Sequence, residues 1–208
     1  MRRFLCTLGL LLWGVAVAQA APARSVLVLG DSLSAAHNIP VASGWVHLLG
    51  ERLGKMEPPW RVVNASISGE TSLSGRNHLP ALLAKERPAV VVIELGANDG
   101  LRGLPLDALR DNLAAMIDLA QKRGARVLLL GIELPVNYGP QYRDGLRAIY
   151  ADLARSKRTA LVPFLLEGVA LDPTLMQDDG LHPLAAGEPR VLDNVWQGLA
   201  PLLKAARH

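Results

Sequence analysis

One cysteine in 208 residues, at position 6, leaves almost no thiol chemistry to this chain. A catalytic cysteine or a disulfide framework deeper in the sequence is excluded. Aromatic residues make up only 4%, too few to line a sugar-binding cleft. Neither sign of charge dominates: 22 Lys and Arg face 19 Asp and Glu, so no basic nucleic-acid surface is implied. There is no His-Glu-x-x-His zinc motif and no Gly-x-Ser-x-Gly nucleophile elbow. What remains is a chain that is half hydrophobic, long enough for one domain with a single large core.

The N-terminus has its own grammar. Arg2 and Arg3 precede an apolar run from Phe4 to Val17, and Ala18-Gln19-Ala20 follows. A basic start, a short apolar core and an Ala-x-Ala site read as a secretory signal peptide. The run is shorter than the roughly 18 residues of a membrane-spanning helix. Residues 1–20 are therefore expected to be removed after Ala20, leaving one domain over 21–208 in the periplasm or outside the cell. Cys6 would leave with the signal, and stability would rest on packing alone. Losing Arg2 and Arg3 leaves 20 basic against 19 acidic residues, a net charge of +1.

Beyond the signal, strand-like runs alternate with helical patterns. The predicted strands are Val26–Leu29, Arg61–Ala65, Ala89–Leu95, Arg126–Ile132 and Ala160–Pro163. Ala89 to Ile93 is an unbroken apolar run, as suits a strand buried on both faces. Helices are predicted at Gly44–Leu53, Leu79–Glu86, Leu106–Lys122, Gln141–Ser156 and Ala185–Ala205, with loops at 30–39, 66–78, 96–104 and 133–140. Such alternation indicates an α/β fold with a parallel sheet covered on both faces.

The chemistry-bearing residues sit where strands end. Ser32, in Gly30-Asp31-Ser32-Leu33-Ser34, directly follows the first strand, where open α/β sheets place their active sites. A serine hydroxyl needs a base. His182, in Asp179-Gly180-Leu181-His182-Pro183, is the best of five histidines, because Asp179 lies three residues before it. A carboxylate there can hold Nδ1–H and leave Nε2 facing the serine. Asp178 is a less apt orienter. Pro183 is expected to start the last helix. His37, His47 and His78 have no carboxylate at a useful spacing. Acyl transfer also needs donors for a developing oxyanion. The second and third strands are followed by Asn64-Ala65-Ser66-Ile67-Ser68-Gly69-Glu70-Thr71 and Gly96-Ala97-Asn98-Asp99-Gly100, offering the Gly69 N–H and the Asn98 amide. Taken singly, each block also reads as a helix cap or an Asx turn.

Four blocks in this order, each after its strand, resemble the SGNH hydrolases, also called GDSL esterases/lipases. The resemblance spans about residues 25–203. Glu94-Leu95-Gly96-Ala97-Asn98-Asp99-Gly100-Leu101-Arg102-Gly103, Pro135-Val136-Asn137-Tyr138-Gly139 and Met176-Gln177-Asp178-Asp179-Gly180-Leu181-His182-Pro183 resemble its bacterial periplasmic thioesterase/lysophospholipase branch, often called arylesterase. The resemblance implies a flavodoxin-like three-layer α/β/α sandwich with a parallel sheet of about five strands. It implies Ser32 as nucleophile, His182 as base and then acid, Asp179 as orienter, and an oxyanion hole from the Ser32 and Gly69 N–H groups and the Asn98 side chain. No metal or organic cofactor is expected. Two departures stand out. Ser72-Leu73-Ser74-Gly75-Arg76-Asn77-His78 replaces a small, glycine-rich stretch that borders the acyl site, and Leu184 replaces a polar residue after Pro183.

The implied activity is hydrolysis of carboxylic esters and thioesters through an acyl-enzyme, on lysophospholipid, acyl thioester or aryl ester. Leu73, Leu101 and Leu134, with Leu104, are the expected substrate-binding residues; Glu94 is expected to be a buried carboxylate without a catalytic role. A carbohydrate O-acyl esterase of the same fold is the alternative, and a non-catalytic binding module a further one. The expected partners are small-molecule esters or lipids, not nucleic acid, with no stable membrane anchor and a monomeric state.

Overall fold

The computed structural model describes residues 23–206. Five strands, β1 (Ala23–Gly30), β2 (Arg61–Asn64), β3 (Pro88–Glu94), β4 (Arg126–Leu130) and β5 (Ala160–Val162), form one parallel sheet in the order β2-β1-β3-β4-β5. The helices are α1 (Trp45–Gly54), α2 (Ser72–Glu86), α3 (Ala97–Leu101), α4 (Leu106–Lys122), α5 (Pro140–Lys157) and α6 (Glu188–Ala205). Helices α2, α4 and α5 pack side by side in one layer, and α1 pairs with α6 in the other. This is the three-layer α/β/α sandwich. No helix of the described residues is long and apolar enough to cross a membrane. The signal expected over residues 1–20 lies outside the described residues.

The sheet is held by apolar burial on both faces. Every residue of β3 is buried, because helices cover it above and below. In register, Val26 of β1 stands between Val62 of β2 and Val90 of β3. The chain runs from β1 outward to β2, then returns across β1 to β3. Strand order therefore reverses between β1 and β3, and the loops leaving these two strands open a crevice at their carboxyl ends. Ser32 lies on the segment after β1, and Asn98 on the one after β3, within α3.

Three sequence expectations need correction. Residues 72–78 are not a loop but the first half of α2. Thr71 caps it, its hydroxyl accepting from the Ser74 N–H at 3.4 Å, and Ser72 and Gly75 are buried in it. A Cβ at Gly75 would collide with Leu95, so small residues let this helix close on the sheet. Second, Pro183 does not begin the last helix. It forms an isolated antiparallel bridge with Met176, and α6 starts at Glu188 with Pro189 in its first turn. Third, residues 97–101 of the expected 96–104 loop form the short helix α3.

Candidate active site

Ser32 and His182 are 150 residues apart, and the fold brings them into contact. His182 Nε2 lies 2.7 Å from Ser32 Oγ, and His182 Nδ1 lies 2.7 Å from Asp179 Oδ2. The second Asp179 oxygen accepts the Leu181 and His182 N–H groups at 2.9 and 3.0 Å. This is an Asx turn. Desolvation raises the Asp179 carboxyl, but these backbone donors and the imidazole outweigh it, and the group is held at about 2. It is ionised at neutral pH. A carboxylate on Nδ1 fixes the proton there, which leaves Nε2 as acceptor for the serine proton. Asp178 makes no bond to His182; the carboxylate on Nδ1 is that of Asp179.

The nucleophile turn is built over a buried carboxyl. Glu94, the last residue of β3, is fully buried, and its Oε2 accepts the Asp31 N–H at 3.1 Å and the Ser34 hydroxyl at 2.8 Å. Gly30 is required here for space: a Cβ would stand 2.7 Å from Glu94 Oε2 and 2.8 Å from Ser34 Oγ. Burial, then the Asp31 charge, push the Glu94 carboxyl well above the usual carboxylate range. Asp31 is also fully buried, and its desolvation outweighs hydrogen bonds from Leu33, Glu94 and Asn98, raising it to about 6. Two carboxyls packed together in a low-dielectric site cannot both ionise freely. Glu94 is thus a structural, hydrogen-bonded carboxyl, as the sequence reading expected. Asp31 was not singled out by that reading, although it lies inside the quoted motif.

Donors gather beside Ser32. Neither the Ser32 nor the Gly69 N–H donates to another group among the described residues, so both can meet a substrate oxygen. Gly69 has φ +81°, a left-handed conformation that glycine adopts without strain, and Arg102 donates to its carbonyl at 2.9 Å. Asn98 Nδ2 lies 3.1 Å from Asp31 Oδ2 and 3.0 Å from the Glu70 carbonyl. These two bonds tie the loops after β1, β2 and β3 together at one amide. Beneath it, Asp99 accepts the Ser72 N–H at 2.8 Å and the Ser72 hydroxyl at 2.5 Å, fixing α3 against the start of α2.

An apolar cleft opens beside Ser32 and His182. Leu33, Leu101, Ile132, Leu134, Phe164 and Leu166 line it. Leu101 and Leu134 are where the sequence placed substrate contacts. Leu73 and Leu104 are not among its lining residues: Leu73 is 55% exposed in the first turn of α2, and Leu104 is 37% exposed. The helical form of residues 72–78 explains the first case, since the residues that α2 buries at its start are Ser72 and Gly75. Ile132, Phe164 and Leu166 escaped the sequence reading, because each lies just past a strand end that read simply as core. Three histidines were also under-read. His47 Nε2 lies 3.6 Å from Glu51 Oε1, one turn on in α1. His78 Nδ1 is 2.7 Å from Glu70 Oε1, a partner eight residues back, and the His37 ring lies against His182 with centroids 4.4 Å apart.

Comparison with known proteins places this geometry. The family model described as GDSL-like Lipase/Acylhydrolase matches residues 28–189. Esterase TesA of Pseudomonas aeruginosa is 54% identical over 189 residues, covering 91% of this chain and 94% of that protein. A crystal structure of TesA superposes with a TM-score of 0.83, covering 86% of this chain and 99% of that one. Thioesterase 1/protease 1/lysophospholipase L1 of Escherichia coli K12 is 42% identical over 185 residues, 89% of this chain and 88% of that protein. The psychrotrophic esterase EstA of Pseudoalteromonas sp., solved inhibited by monoethylphosphonate, is 37% identical with a TM-score of 0.81, covering 87% of this chain and 99% of that one. Because the matched span runs from inside β1 to the start of α6, no part of the site falls outside it, and the chain belongs to the GDSL-like lipase/acylhydrolase family.

Proposed function

We propose that this chain hydrolyses carboxylic esters and thioesters of acyl groups through a Ser32 acyl-enzyme. One observation carries the reading: the continuous relay from Asp179 through His182 to Ser32, with both gaps at 2.7 Å. Ser32 Oγ attacks the acyl carbonyl carbon while His182 Nε2 takes its proton. The negative oxygen that forms is met by the Ser32 and Gly69 N–H groups and by Asn98. The tetrahedral species collapses, His182 gives its proton to the departing alcohol or thiol, and the acyl group stays on Ser32. Water then attacks the acyl-enzyme, with His182 as base again, and the free acid leaves.

The apolar cleft supports acyl substrates, and the names of the relatives extend the range. The E. coli relative is called a thioesterase and a lysophospholipase. On this basis the substrates here are acyl thioesters, lysophospholipids and aryl esters. Acetylated glycans suit the cleft poorly, since its lining is mostly aliphatic and Phe164 is its one aromatic residue among those described. The chain is also read as exported, with residues 1–20 removed and 21–208 forming the enzyme. The intact mass of the protein recovered from the periplasm tests this, and a retained Cys6 overturns it.

The activity is tested with p-nitrophenyl esters from acetate to palmitate, with a lysophospholipid and an acyl thioester beside them. Ser32→Ala is expected to abolish nearly all turnover, leaving a residue of about 10³–10⁴ over the uncatalysed rate. Ethyl p-nitrophenyl ethylphosphonate is expected to phosphonylate Ser32 once, the new Ser32 Oγ–P bond forming as p-nitrophenolate leaves, read by peptide mass. A Ser32→Ala protein that keeps a tenth of the wild-type rate removes Ser32 as nucleophile.

A further inference from the structure

The histidine that the sequence reading passed over makes the closest aromatic approach to the relay. The His37 and His182 ring centroids are 4.4 Å apart, with the planes tilted by 41°. The chain goes to some expense to put His37 there. Ala36 at φ +57° and Asn38 at φ +55°, its neighbours on both sides, are two of only four described non-glycine residues in the left-handed region. Such conformations cost about 1–3 kcal/mol each and persist where the surroundings over-determine them. Gln177 supplies part of that constraint. Its side-chain amide donates to the carbonyls of His37 and Pro183, each at 2.9 Å, and its own N–H donates to the His182 carbonyl at 2.8 Å. One residue therefore clamps the His37 loop to the His182 loop.

We propose that His37 is a positioning residue for the relay: its ring backs His182 and holds the imidazole toward Ser32. The inference rests on the reading of Ser32 and His182 as the reacting pair. Packed against His182, the ring limits the swing of the imidazole and keeps Nε2 at 2.7 Å from Ser32 Oγ.

His37→Ala and His37→Phe separate this role from a merely structural one. With p-nitrophenyl butyrate at about pH 8, the alanine variant is expected to lose about tenfold in kcat with KM within about twofold, and the phenylalanine variant to recover most of it by restoring the ring. Both variants are expected to be labelled at Ser32 by the same p-nitrophenyl phosphonate, with p-nitrophenolate leaving. If both keep the wild-type kcat, the inference fails. It fails too if alanine loses activity and phenylalanine does not restore it. A wild-type protein that phosphonate leaves unlabelled at Ser32 overturns instead the reading on which the inference rests. Should the alanine variant not fold, His37→Asn, which also lacks an aromatic ring, takes its place with the same loss of kcat expected.

Discussion

Asn98 carries two amide hydrogens, and in the resting site both have protein acceptors, Asp31 Oδ2 at 3.1 Å and the Glu70 carbonyl at 3.0 Å. To stabilise an oxyanion it must share one of them. The bond to Asp31 is the longer of the two, and the Glu70 carbonyl holds the amide in place while the other hydrogen turns to substrate. The cost of that sharing falls in the ground state, and the gain comes only when the carbonyl oxygen is charged. An interaction of this kind acts on kcat more than on KM. Asn98→Ala is expected to lower kcat by about 10²–10³ with KM little changed. Steady-state kinetics on one p-nitrophenyl ester checks this. A change confined to KM would instead make Asn98 a residue that positions substrate.

At the scale of elements, the site depends on how sharply β3 hands over to α3. Gly96 makes that turn at φ +126°, and a Cβ there would collide with the Tyr150 hydroxyl. Tyr150 is buried and cannot yield, because its hydroxyl donates to the Leu95 carbonyl at 2.9 Å. Gly96→Ala therefore combines backbone strain with overpacking and is expected to cost about 2–5 kcal/mol. Urea unfolding gives the value, and an unchanged midpoint refutes the argument. The same element shows what sequence could and could not tell. The strands were legible because β-branched runs between turns have one reading, and α4 and α5 because their apolar spacing is helical. Helix α2 was half legible. From Leu79 it buries leucines, but its first turns hold Ser72, Ser74, Gly75 and Asn77, weak helix formers that are helical because tertiary packing against Leu95 rewards small side chains. In the site, Ser32, Gly69 and Asn98 were legible because each lies in a motif soon after a strand, and Asp179 and His182 because of their three-residue spacing. Asp31, His37 and Phe164 were not, since their importance arises from contacts across loops that no spacing along the chain records.

Over the whole molecule, ionisable groups are buried unevenly, and this gives stability a pH dependence with a definite sign. Burial raises the Asp31 carboxyl to about 6 and Glu188 to about 7, and it pushes Glu94 well above its usual range. For an acid whose folded value is raised, stability is complete below the unfolded value and is lost as pH rises through the folded one. These three groups weaken the fold as pH climbs from about 4 to about 7. Asp179, held at about 2, acts oppositely: its contribution is present above the usual 3.8 and is lost on acidification towards 2. The melting temperature is thus expected to peak near about pH 4–4.5 and to fall towards neutrality. Glu188 offers a clean test of the neutral side. It is 2% exposed, lies in the first turn of α6, and accepts the Trp45 N–H at the start of α1 at 2.7 Å. Its rise from 4.5 to about 7 corresponds to about 3 kcal/mol of stability lost at high pH. Glutamine keeps an oxygen for the Trp45 N–H and has no proton to lose. Glu188→Gln is expected to melt with wild type near pH 4.5 and several degrees above it at pH 8, at about 2–4 °C per kcal/mol for a domain of this size. Thermal unfolding at the two pH values decides: a variant that melts below wild type at pH 8 means that the Glu188 carboxylate, ionised between two helix N-termini, stabilises the fold rather than straining it.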